Sequence, residues 1–103
     1  MWFVGETRTR DDVDAEMYQL AYAMGRQALR HEAKGLGKHL PNLEPSADKR
    51  MDEITCPLLL IVGAHDIEYM KRANDVVEEA IASAQKVVME NAAHLANMDD
   101  PTQ

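Results

Sequence analysis

Two residues in this 103-residue chain are spaced to move a proton together. Asp66 follows an apolar run, Leu58-Leu59-Leu60-Ile61-Val62, that closes on Gly63. His94 follows a second short run, Val87-Val88-Met89, and lies 28 residues beyond Asp66. A carboxylate held against an imidazole fixes the ring tautomer and stabilises the imidazolium when the ring takes a proton. The histidine can then serve as a general base toward a hydroxyl nucleophile or a water. That chemistry requires the two side chains to reach one place, which depends on the elements that carry them.

Five consecutive large apolar residues do not alternate in and out. A strand of that kind is covered on both faces, the signature of a parallel sheet. Residues 67–84 return to helical spacing, with Met70, Ala73, Val77, Ala80, Ile81 and Ala84 on one stripe. Residues 86–90 read as a second strand. Residues 57–90 therefore form a βαβ unit, and residues just past the carboxyl ends of its strands meet at one rim. Asp66 and His94 both occupy such positions. Two strands leave at least one sheet edge without a partner, so the unit reads as part of a larger sheet.

Upstream, Asp11, Asp12 and Asp14 supply N-cap and first-turn carboxylates. Val13, Met17, Leu20, Ala21, Met24 and Ala28 then recur at helical spacing, which predicts an amphipathic helix over 12–33. Tyr18 and Tyr22 lie four apart on a neighbouring face. The helix is expected to stop near Gly35 and Gly37. Residues 35–50 carry Pro41 and Pro45 and read as loop, while residues 1–10 show no periodic signal. The chain thus divides into a helical segment with its return loop, 1–50, and a βαβ part, 51–103.

Composition excludes several classes. The formal charge of -7 offers no pull toward phosphate backbones, so nucleic acid is not an expected partner. The cluster Arg26, Arg30, Lys34 and Lys38 suits a solvated helix end. No apolar run approaches the ~18 residues of a membrane span, so no membrane partner is expected. Cys56 is the single cysteine, and no intrachain disulfide can form. With no signal peptide in the first residues, a cytoplasmic location is expected. Cys56, at the start of the first strand, reads as a buried structural thiol.

Residues 57–66, Pro57 through Asp66, resemble the acid-bearing strand of the α/β-hydrolase superfamily. Residues 91–101, Asn91 through Pro101, resemble its histidine loop, and residues 76–81 fall where the family has its penultimate major helix. Residues 2–34 are similar to the helical cap of esterases and lactonases, and residues 45–54 to the segment returning to the core. The resemblance implies an incomplete α/β-hydrolase-type parallel sheet, one βαβ unit preceded by an amphipathic cap-like helix. It implies a small-molecule acyl substrate, a carboxylic ester, lactone or relative. Asp66 would be the triad acid, His94 the general base, and Met17, Tyr18 and Tyr22 would line the substrate pocket. No cofactor is implied.

The departures are equally definite. The G-x-S-x-G nucleophile elbow is absent, and neither Ser46 nor Ser83 has that glycine pattern around it. Ala93 stands where the family places glycine before the histidine, and Gln103 ends the chain before the family's last helix. The expectation is a C-terminal fragment holding the remnant of a triad, inactive alone, and completed by a complementary N-terminal fragment. The alternative is a non-enzymatic small α/β protein that forms a homo-oligomer by helix swapping or strand-edge pairing. A binding module that kept the cap pocket without the chemistry is a third.

Other readings compete at single residues. Asp66 is also a natural N-cap for a helix beginning at Ile67. His65, beside the acid, reads as an exposed loop residue. The stretch from His39 to Pro45 echoes that from His94 to Pro101, but no longer period supports duplication. His31, His39, His65 and His94 lack the spacing of a zinc site, so no metal is expected.

Overall fold

A computed structural model describes residues 2–102. The first long element, α1 (Ala15–Ala33), starts where Asp14 accepts a hydrogen bond from the Met17 amide at 2.9 Å. That bond satisfies one of the four unpaired amides of a first helical turn. Asp11 and Asp12 lie ahead of the helix in a 3-10 turn, Arg10–Asp12, so the helix begins later than residue 12. There Asp12 accepts from the Thr9 amide and hydroxyl, and these bonds, the amide foremost, hold its carboxyl below the usual range.

The βαβ unit is present. Strand β1 (Leu58–Gly63) runs parallel to β2 (Ala84–Met89), with Leu58 opposite Ala84 and Gly63 opposite Met89. Between them lies α2 (Glu68–Ala80), and a last short helix, α3 (Ala96–Asp99), follows the second strand. The helix ends earlier than its stripe suggested because Ile81 takes an extended backbone and drops into the core at 2% exposure. The described residues form a small α/β fold: a two-stranded parallel sheet with three α-helices.

Helix α2 packs on one face of the sheet. Lys86 of β2 reaches Asp75 at 2.5 Å and Glu78 at 2.7 Å on that helix. These two carboxylates push the Lys86 ammonium up to about 12, Asp75 contributing most. The other face is largely bare. Leu59 and Ile61 are 58% and 54% exposed, and Val87 is exposed beside them. The expectation of a β1 strand covered on both faces is therefore not met within this chain. Nothing else among the described residues lies over those side chains, although their apolar character asks for cover.

The same correction holds for α1. Met17 and Ala21 are buried and Val13 is partly covered, but Leu20 and Met24, on the same stripe, are exposed. Leu36, Leu40 and Leu43 in the following loop are exposed too, so the loop does not fold back over the helix. The radius of gyration, 16.1 Å, exceeds the about 13 Å of a compact chain of this length.

Residues 2–8, which carry no periodic pattern, supply much of what α1 does bury. Phe3 and Val4 form a core cluster with Met17 and Ala21, and Tyr18, Leu95 and Met98 pack against it. The N-terminal segment thus lies between α1 and the segment after β2.

Candidate active site

The rim of the sheet is built from two loops that touch through backbone. Gly63 ends β1, and a Cβ there would meet the carbonyl oxygens of Ala92 and Ala93 at 2.3 Å. Glycine is what lets the loop after β2 cross so close to the end of β1. The Ala64 amide then donates to the Met89 carbonyl and the His65 amide to the Ala92 carbonyl, each at 3.0 Å. Asp66 and His94 are carried toward one another by this lacing.

His94 Nδ1 lies 3.1 Å from Asp66 Oδ1 and 3.0 Å from Oδ2. The Asp66 side chain is 6% exposed and that of His94 32%. A carboxylate only accepts, so this contact favours the neutral tautomer with its proton on Nδ1 and its lone pair on Nε2. Asp66 Oδ1 also accepts from the Ile67 amide at 2.7 Å. It does not cap α2: the N-cap position is Ile67, which makes no side-chain cap bond. The indole of Trp2 meets the His94 ring edge-on, with centroids 4.7 Å apart.

Two further residues, Arg8 and Asp99, join the loops to the N-terminal segment. They pair at 2.5 Å, with side chains 9% and 4% exposed. Arg8 also donates to the carbonyls of Val4 and Asn91, and Asp99 accepts from the Ala93 amide at 2.8 Å. No signal in a single sequence joins positions 91 residues apart, so neither was legible beforehand. His65 is half-buried rather than exposed, because its ring meets the Thr7 hydroxyl and its carbonyl accepts from the Glu6 amide.

Beside His94, on the bare face of the sheet, lies a hollow of about 410 Å³ bounded by Ile61, Met89, Asn97 and Pro101. Met17, Tyr18 and Tyr22 do not border it. Met17 is core. Tyr18 is half-buried against Phe3 with Arg10 over its ring, and Tyr22 stacks on Tyr18 further out. Phe3 and Trp2 intervene between these tyrosines and His94.

Ser83 donates to the Cys56 carbonyl at the start of the sheet, a strand's length or about 20 Å from the rim. Among the described residues no serine hydroxyl hydrogen-bonds His94. Cys56 is exposed rather than buried. His31 and His39 sit together along the far part of α1 and its loop, away from Asp66. Among the described residues no group of three or more histidine, cysteine or acidic side chains is arranged to hold a metal. No helix among them is long and apolar enough to cross a membrane.

The arrangement can take up a proton at Nε2 and stabilise the resulting imidazolium. Comparisons with protein families, curated proteins and solved structures return no match.

Proposed function

We propose that Asp66 and His94 are the acid and general base of a hydrolytic triad of α/β-hydrolase type, acting on a carboxylic ester, lactone or related acyl substrate. One observation carries the reading: a buried carboxylate meets the histidine at Nδ1, and among the described residues no hydrogen bond occupies Nε2. Nε2 would take the proton of a serine hydroxyl as it attacks the acyl carbon, then return it to the leaving group. The serine and the oxyanion-hole amides would come from a complementary segment. Its natural seat is the bare sheet face beside the His94 hollow. Without them the 103-residue chain does not turn over substrate, since those groups supply most of the rate in such enzymes.

The tautomer tests the reading. Above the imidazole titration range, long-range proton–nitrogen NMR should find His94 with its proton on Nδ1 alone, and Asp66→Asn should abolish that preference. A wild-type ring in mixed tautomers, or protonated at Nε2, would overturn the general-base assignment. The purified chain should hydrolyse a p-nitrophenyl ester no faster than buffer. Asp66-dependent hydrolysis by the chain alone would show that the nucleophile lies within it.

A second reading is favoured by the bare face itself. Leu59, Ile61 and Val87 form an exposed apolar surface on a sheet whose edges have no partner strand among the described residues. On this reading the chain is a non-enzymatic protein that associates with itself through strand edges or by exchanging α1. Native mass measurement separates the two: a monomer at micromolar concentration counts against self-association.

A further inference from the structure

Residues 2–8 touch both loops of the candidate site, and they hold the loop that bears His94 through one ion pair whose side chains are 9% and 4% exposed. We infer that Arg8 and Asp99 are positioning residues for His94, an inference that rests on the general-base reading above. The two act on the backbone that carries the ring rather than on the ring. Asp99 Oδ2 takes the Ala93 amide, one residue before His94, at 2.8 Å. Arg8 Nη1 takes the Asn91 carbonyl, three residues before it, at 2.9 Å. The loop is therefore held at two backbone atoms by one guanidinium–carboxylate unit. Arg8 Nε bonds the Val4 carbonyl at 2.8 Å and ties that unit to the segment bearing Trp2, whose indole abuts the His94 ring.

The opposite loop is fastened to the same segment. The Glu6 amide donates to the His65 carbonyl at 3.1 Å, and the Thr7 hydroxyl meets His65 Nδ1. Gly5, at φ +96°, permits the approach, because a Cβ there would lie 2.2 Å from the His65 carbonyl oxygen. Segment 2–8 thus clamps the loop that bears Asp66 and the loop that bears His94 into one geometry. A bidentate guanidinium–carboxylate pair suits that task, since its planar fork fixes direction as well as distance. The Asp66–His94 contact at 3.0 Å has little tolerance, and a loop free to shift by an ångström would lose it.

The test reads the ring, not activity. Two variants are compared with wild type, Asp99→Asn and the double variant Arg8→Met with Asp99→Leu. The double variant leaves no unpaired buried charge and so protects against simple unfolding. Hydrogen exchange of the β1 and β2 amides in the same samples reports the fold. The expected result is a folded double variant in which His94 populates both tautomers. Its Nδ1 proton should exchange at least about tenfold faster than in wild type, with sheet amides unchanged. Asp99→Asn, which keeps an acceptor for the Ala93 amide, should show a smaller change. A folded double variant whose ring keeps one tautomer and its slow proton would overturn the inference. Unfolding of both variants would overturn it as well, because the pair would then hold the fold rather than the ring. A wild-type ring already in mixed tautomers removes the general-base reading and this inference together, so the two failures are distinguishable.

Discussion

The rim of the sheet and its bare face begin at the same strand and end differently. At the rim, Asp66 is buried and the side chains of Asp99 and Arg8 are nearly covered, and each has its partners: His94 and the Ile67 amide, the Ala93 amide, the Val4 and Asn91 carbonyls. Among the described residues no buried side-chain nitrogen or oxygen lacks a hydrogen bond. On the bare face of the same two strands, Leu59, Ile61 and Val87 are exposed. A chain of this size that buries charges while exposing aliphatic side chains has its order concentrated where loops must be held. Burying ions costs more than it returns unless geometry requires them. The contrast therefore places the constraint on the rim and leaves the face available to another surface.

The largest effect should come from breaking the rim. Arg8→Met leaves Asp99 charged and buried, and about 3–5 kcal/mol of stability should be lost. Urea denaturation measures it. That is a large share of the ~5–15 kcal/mol a domain possesses. The double variant Arg8→Met with Asp99→Leu should cost clearly less than the sum of the single losses, because the two charges act as one unit. Additive losses would mean that the pair is not coupled and that the contrast between regions is false.

Gly63→Ala should come next. Its Cβ would overlap two backbone carbonyls at 2.3 Å, and neither is a flexible side-chain end. A loss of ~1–3 kcal/mol is expected, with His94 displaced from Asp66. An unchanged His94 NMR environment in that variant would show that the loops do not need their close crossing.

Lys86 connects the covered face to α2, and its effect depends on pH. Its folded pKa, about 12, lies above its ordinary value of 10.5. Its contribution is therefore fully present below 10.5 and is lost as pH rises through about 12. Stability of the wild type should fall across that window, and Lys86→Met should flatten this part of the curve. A wild-type curve already level there would deny the pairing with Asp75 and Glu78.

The smallest effect should be on the bare face. Leu59→Asn should alter monomer stability by no more than ~0.5 kcal/mol, because the side chain contributes little burial. A larger loss that grows with protein concentration would show that the face is covered in solution, which favours self-association.

The parts that were legible share a property: their signals are local. The βαβ unit follows from an unbroken apolar run, a 3.6-residue stripe and a second run. The pairing of Asp66 with His94 follows from their matching places after parallel strands. That aspartates open α1 follows from their type and position, although the sequence did not distinguish Asp14, the actual cap, from Asp11 and Asp12. The misreadings arise where a local pattern promises burial that the chain does not provide. Leu20 and Met24 keep the helical spacing of Met17 and Ala21 but are exposed. Cys56 has an apolar neighbourhood in sequence and solvent in space.

The sequence by itself determined which residues can exchange a proton and which elements carry them to one end of a sheet. Periodicity and strand ends are properties of neighbouring residues, so they are written within short windows. Only the tertiary structure decided that residues 2–8 belong to the site, that Arg8 meets Asp99 across almost the whole chain, and that one face of the sheet is bare. Those outcomes depend on which distant segments find room beside each other. No spacing rule encodes that, because long-range contacts are chosen by packing and by the cost of leaving a charge unpaired.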